Sequence, residues 1–332
     1  MSKVSFTDIQ LARGRISGRV LRTPLRRSAS LSERTGAPVL FKHEQLQTTG
    51  SFKLRGATNA VLSLTADLRK RGVITVSTGN HGRALAHAAS QVGIACTVCV
   101  SSLVPRNKVE EISALGARVR IIGRSQDQAE IGAKRLAAEH GMVMVHPFDQ
   151  TEIIAGQGTL GLELIEEAPE TECLVVPLSG GGLAAGVALA AKTVKPGLRV
   201  IGVSMARGAA MAASLRAGRP VEVEELPTLA DALGGGIGLE NRHTFALARD
   251  LLDEVVLVEE AEIAAAIAHV WREHAEVVEG AGAVGTAALL ADKVRIAGPT
   301  IVILSGRNIE ARLHGRIIED HAVTASDLGA SE

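Results

Sequence analysis

The chain has 332 residues, and its 36 Lys+Arg balance 36 Asp+Glu, so its formal charge is zero. That balance excludes the basic excess on which a nucleic-acid or anionic-membrane partner would depend. Apolar residues make up 46% and charged residues 22%, while aromatic residues reach only 2% with no Tyr, so the core must be aliphatic and no tyrosine can act as acid or base.

The N-terminal residues Met1-Ser2-Lys3-Val4-Ser5-Phe6 carry no apolar signal core, and no charge-free apolar run approaches the ~18 residues of a membrane span. The three cysteines form no even disulfide framework, which predicts a cytoplasmic protein. Cys96 and Cys99 match C-x-x-C but fall in the β-branched run Ile94-Ala95-Cys96-Thr97-Val98-Cys99-Val100. Residues three apart in a strand face opposite sides of a sheet, so these thiols are read as structural.

In chain order, short apolar runs at 73–77, 95–100, 118–122, 143–146, 173–178, 200–203, 254–258 and 300–304 predict strands. Helical spacing appears between them at 81–92, 126–140, 159–166 and 183–193. The alternation predicts an α/β fold with mostly parallel sheet, and so many units exceed one comfortable sheet, so two domains are expected. The chain ends soon after its last strand, which leaves little room for an appended regulatory domain.

Four segments hold residues suited to chemistry. In Ser51-Phe52-Lys53-Leu54-Arg55-Gly56, Ser51 is a natural N-cap, which places Lys53 in the first turn of a helix. The positive end of that helix should lower the lysine's pKa and so favour attack on a carbonyl. Ser77-Thr78-Gly79-Asn80-His81-Gly82 follows a strand, and its backbone N–H groups could hold a carboxylate; Asn80 is equally well read as a cap. Ser179-Gly180-Gly181-Gly182-Leu183 lies between a strand and a helix, where three glycines can wrap a phosphate. It matches neither the dinucleotide fingerprint nor the P-loop, so a terminal phosphate monoester is the better reading. Ile303-Leu304-Ser305-Gly306-Arg307-Asn308 ends another strand, and Ser305 could bond a ring nitrogen without charging it. Ligands in open α/β sheets sit beyond the carboxyl ends of strands, so the last three segments can converge.

Together, Thr23-Pro24-Leu25, Ser51-Phe52-Lys53, Ser77-Thr78-Gly79-Asn80-His81, His146-Pro147-Phe148-Asp149, Ala155-Gly156-Gln157-Gly158-Thr159 and the glycine loop resemble the serine/threonine dehydratase and serine racemase family. These are pyridoxal-phosphate enzymes of the tryptophan-synthase-β fold type. The resemblance implies two open, mostly parallel twisted sheets flanked by helices. It places a small domain (68–145) as an insertion in a large one (1–67 and 146–332). It implies that Lys53 carries pyridoxal 5'-phosphate as a Schiff base and moves the Cα proton. Phe52 would flank the ring, Asn80 would bond the 3-hydroxyl and Ser305 would face the ring nitrogen. Ser179, Gly180, Gly181, Gly182 and Leu183 would cradle the phosphate; Ser77, Thr78, Gly79, Asn80 and His81 would hold the substrate carboxylate. Elimination of water from a β-hydroxy amino acid such as L-threonine or L-serine, giving a 2-oxo acid and ammonia, is the implied activity, in a homodimer.

Several departures qualify the likeness. Gly202-Val203-Ser204-Met205 lacks the acidic residue that metal-binding members carry after Gly-Val, so no divalent cation is expected there. Thr78 could donate a proton from the far face, which keeps racemisation open. Arg307 replaces a glycine. Asp231-Ala232-Leu233-Gly234-Gly235-Gly236 suggests room for a larger substrate and, with 204–211, is similar to dehydratases of hydroxyectoine utilisation. Glu279 suits either the site or a helix start. The competing functions are β-replacement by a thiol and, from another class, a non-catalytic small-molecule-binding protein.

Overall fold

The computed structural model describes residues 4–77, 79–104 and 106–319. Its strands are β1 (Leu25–Arg27), β2 (Val39–Lys42), β3 (Val73–Val76), β4 (Cys96–Val100), β5 (Arg118–Ile121), β6 (Val143–Met144), β7 (Cys173–Pro177), β8 (Arg199–Met205), β9 (Glu254–Val258) and β10 (Thr300–Ile303). They form a six-stranded sheet, β1-β2-β10-β7-β8-β9, and a four-stranded sheet, β5-β4-β3-β6. The pairing is parallel throughout the small sheet and, in the large one, antiparallel only where β1 meets β2. The small sheet uses consecutive strands whose sequence falls between β2 and β7, the inserted arrangement of the expected fold.

Helices cover the sheets with aliphatic faces. Long periodic segments stand where the pattern predicts them, as with the helix Gln126–His140. The helix expected over 159–166 is longer, Thr151–Glu167. Its glycines look like breakers in sequence, yet they are contact points: a Cβ at Gly156 would lie 2.6 Å from the Cα of Gly56. Two helices can therefore approach at backbone distance there. Strands β1 and β2 have no counterpart in the predicted runs; β1 is three residues long and mostly exposed. The two cysteines of β4 do face opposite ways, Cys96 packing with Leu54 and Leu85 and Cys99 with Ile74 and Ala133. Burial pushes the Cys96 thiol up to about 12, so it stays an inert apolar group. Among the described residues, no helix is long and apolar enough to cross a membrane.

One buried ionic cluster fixes the helix Lys53–Leu62 in place. Arg55 is fully buried and donates from Nε and a terminal nitrogen to both oxygens of Glu44, each at 2.8 Å. The same guanidinium donates to both oxygens of Glu163, at 2.7 and 2.9 Å. Lys42, also fully buried, lies 3.1 Å from Glu163 and 2.9 Å from Glu167. Burial alone would raise the Glu44 carboxyl, but Arg55, helped by Thr23 and Lys42, holds it below the usual carboxylate range. Such a cluster adds little over an apolar core, yet removing one partner strands the others without compensation. Arg55→Ala should therefore cost about 3–5 kcal/mol, read as a lowered midpoint in chemical denaturation, whereas Arg13→Ala at an exposed pair should stay within about 1 kcal/mol.

Candidate active site

Lys53 opens the helix Lys53–Leu62, but the cap is not the expected one. Phe52 occupies the N-cap position in helical conformation, with no side-chain cap. Ser51 forms a β-bridge to Gly306, and its hydroxyl is buried without a hydrogen-bond partner. Backbone pairing with a distant strand end holds Ser51 outside the helix. The Phe52 N–H donates to the Ser305 carbonyl at 3.0 Å, so the lysine is tied directly to the end of β10. Lys53 Nζ donates to the Pro147 carbonyl at 2.7 Å and stands 5.4 Å from the centre of the Phe52 ring. Burial lowers the lysine to about 8, against the opposing pull of Glu279. Loss of hydration thus produces the shift that the sequence ascribes to the helix end.

The glycine loop lies between β7 and the helix Gly182–Val194. Gly181 has φ +89°, the left-handed region open to glycine, and it serves as the N-cap. The turn leaves the first N–H groups of the helix, at Gly182 and Leu183, without intrahelical acceptors, and they form a natural anion seat. Phe148 packs on this loop: a Cβ at Gly182 would lie 3.1 Å from its Cα. Phe148 follows Pro147, whose carbonyl receives Lys53, so amine and loop share one two-residue hinge of structure. The Ser179 hydroxyl donates to the Leu233 carbonyl at 2.9 Å, which brings the 234–236 glycine run beside the loop.

The third side comes from the end of β3. Ser77 and Gly79 are half-buried there, and Thr78 lies outside the described residues. Gly79, not Asn80, is the N-cap of the helix Asn80–Ser90. The Asn80 side chain turns inward and donates from Nδ2 to Glu279 Oε1 at 2.7 Å, while its oxygen accepts from Asn308 Nδ2. Glu279 Oε2 accepts the Asn308 backbone N–H at 2.9 Å. Glu279 does stand at a helix start, before Gly280–Leu290, but its side chain caps nothing and belongs to the site. Burial first, then Asp231, raises its carboxyl to about 7, against the Asn80 and Asn308 hydrogen bonds. A Cβ at Gly306 would fall on Glu279 Oε1, so only glycine leaves the carboxylate its place. Ser305 is buried, with its hydroxyl 3.4 Å from the Ala281 carbonyl. The Arg307 side chain is exposed.

Asn308, Pro147, Phe148 and Asp149 had no assigned role in the sequence. Asp149 accepts the backbone N–H groups of His243 and Thr244, each at 2.9 Å, and so pins the hinge that carries Pro147. A backbone carbonyl such as that of Pro147 leaves no side-chain signal to read. Among the described residues, no three His, Cys, Asp or Glu side chains group as metal ligands, and Ser204 donates to Met205 Sδ at 3.3 Å.

His81 is buried, with Nε2 3.3 Å from the Val145 carbonyl and Nδ1 without a partner among the described residues. A carbonyl only accepts, so Nε2 carries the hydrogen and a proton on Nδ1 would meet no acceptor. Burial, then Lys53, lowers the imidazole to about 3. Below its ordinary value near 6.5, the unfolded chain takes up a proton that the folded chain refuses, so stability falls as pH falls. The wild type should lose a few kcal/mol more than His81→Gln between about pH 7 and pH 4, measured by denaturation midpoints.

Comparison with known proteins places this geometry. A family model described as pyridoxal-phosphate dependent enzyme matches residues 16–306. A Sinorhizobium fredii protein provisionally named threonine dehydratase is 56% identical over 96% of each chain. The L-threonine ammonia-lyase of Thermotoga maritima is 42% identical over 95% of this chain and 78% of its own. The solved structure of maize serine racemase superposes with a TM-score of 0.90 at 34% identity, covering 96% of this chain and 98% of its own. A half-buried lysine near a glycine turn suited to an anion, on a fold and sequence matched along most of its length, makes the chain a member of the pyridoxal-phosphate dependent enzyme family.

Proposed function

We propose that the chain is a pyridoxal-phosphate-dependent ammonia-lyase, a dehydratase that converts a β-hydroxy amino acid such as L-threonine or L-serine to a 2-oxo acid and ammonia. The observation that carries this reading is the Lys53 amine, lowered to about 8 by burial and tied through Pro147-Phe148 to the glycine loop. The residues fit the cofactor. The open first turn after Gly181 suits a phosphate, the aromatic face of Phe52 suits the ring, and the buried Ser51 and Thr49 hydroxyls find no hydrogen-bond partner among the described residues.

When bound, pyridoxal phosphate supplies an electron sink for the pair left at the substrate Cα. Ser179, Gly180, Gly181, Gly182 and Leu183 would hold the phosphate. Phe52 would support the ring, and the uncharged Ser305 hydroxyl would serve its nitrogen, which would moderate the sink and favour elimination. The backbone at Ser77–His81, with Thr78 among its residues, binds the substrate carboxylate; the His81 imidazole is committed to Val145. Lys53 takes the Cα proton: an amine near neutrality can accept a proton and release it again. Segment 68–145 closes over the site and excludes water. Homodimeric assembly follows the family likeness, and three buried free cysteines accord with a reducing, cytoplasmic setting.

Two finer readings have support. A Cβ at Gly235 would meet nothing within 4 Å, which leaves space beside the loop for a substrate larger than threonine, as in the hydroxyectoine-degrading dehydratases. The likeness to maize serine racemase, with a hydroxyl at Thr78, supports a racemase side activity. A panel of L- and D-hydroxy amino acids, hydroxyectoine and its ring-opened products separates them by ammonia release and by chiral analysis. Ammonia and 2-oxo acid should form without added nucleophile; formation only with a thiol would instead establish β-replacement. Lys53→Ala should lower turnover by ~10²-fold or more; unchanged turnover would remove Lys53 from its role.

A further inference from the structure

The hydrogen bonds around Glu279 have a fixed direction. The Thr49 carbonyl can only accept, so the Asn308 side chain must present its nitrogen there, at 3.0 Å. The second hydrogen of that nitrogen meets Asn80, which therefore presents its oxygen to Asn308 and its nitrogen to Glu279. The Asn308 backbone N–H, which cannot turn, meets the other Glu279 oxygen. Both oxygens of one buried side chain thus face N–H donors, and only an acceptor at both positions satisfies them.

We propose that Glu279 is a positioning residue: by accepting from Asn80 and Asn308 together, it locks the Asn80 amide with nitrogen inward, so that the remaining Nδ2 hydrogen is a donor for an anionic oxygen of the bound cofactor. The inference rests on the cofactor assignment for Asn80. Glu279 itself touches the cofactor nowhere in this scheme. Its work is to decide that Asn80 gives a hydrogen bond rather than takes one. An unanchored amide could turn over, since its two ends have the same shape, and would then present an oxygen to an oxygen. Gly306 permits the arrangement by lacking a side chain where Glu279 Oε1 lies. The bridge also joins the Asn80 helix, which follows β3, to the end of β10, so the lock spans both sheets.

Glu279→Gln tests this directly, because the new amide offers one acceptor where two donors wait. Its oxygen must serve the backbone N–H of Asn308, its nitrogen then confronts Asn80, and the Asn80 amide is driven to turn. The expected result is a pyridoxal-phosphate dissociation constant raised about ten-fold or more, with a shift of the visible absorbance band that reports ionisation of the ring oxygen. Glu279→Asp, acceptor at both oxygens, should recover most of the affinity. Asn308→Ala frees the same amide from its other side and should move the band in the same direction, which serves if Glu279→Gln does not fold. In an Asn80→Ala background the Gln substitution should add nothing. Wild-type affinity and an unmoved band in folded Glu279→Gln would overturn the proposal, as would an undiminished effect in the Asn80→Ala background. A wild-type protein that takes up no pyridoxal phosphate would instead overturn the cofactor reading beneath it.

Discussion

Withdrawal of one amine from water sets the terms for the rest of the site. Lys53 and Arg55 lie two residues apart on one helix, the first half-buried and the second fully buried, and they reach opposite outcomes. Arg55 meets two carboxylates in paired, directed hydrogen bonds, so its charge is permanent and its place is fixed. Lys53 meets a carbonyl, and its proton becomes easy to lose. The proton-transfer role proposed for Lys53 calls for that second environment. The first environment makes the second tolerable, since a helix anchored by Arg55 keeps the uncapped Lys53 turn from shifting toward water.

The fold brings the remaining groups to this amine by topology. Strands β3, β7 and β10 are parallel members of their sheets, so the loops at their carboxyl ends carry the Asn80 segment, the glycine loop and Ser305–Asn308. Parallel order alone would leave these ends separate. Main chain carries much of the joining: Phe52 meets Ser305 and Ser51 meets Gly306 backbone to backbone, and Lys53 Nζ meets the Pro147 carbonyl, while side chains link Asn80 to Glu279 and Asn308. Positioning by main chain explains why several of the residues involved carry no distinctive side chain.

That also explains what the sequence could and could not reveal. Segments whose own periodicity decides their state were legible: Gln126–His140 and Glu254–Val258 stand where spacing puts them. The glycine loop was legible because a turn requiring φ above zero leaves a residue-type signature at Gly181. Ser51 was misread as a cap because its state is set by pairing with Gly306, at the far end of the chain. Strands β1 and β2 escaped notice because segments of three and four residues, stabilised by pairing with neighbours, have little pattern of their own. The Glu279 side chain was undecidable for the same reason. A carboxylate before Gly280 suits a helix start, and only Asn80 and Asn308, from elements remote in sequence, show where it points.

Glu279 and Lys53 then act as a pair through space. The carboxyl is lifted to about 7 by burial and the amine is lowered to about 8 by burial, so the same exclusion of water moves an acid and a base toward each other. Glu279 also restrains the lysine, since an ionised carboxylate favours the ammonium form of Lys53. Burial thereby moves the acid upward and the base downward, both toward neutrality. The Asn80 and Asn308 N–H donors favour the ionised form of Glu279 and so act with Lys108 against burial.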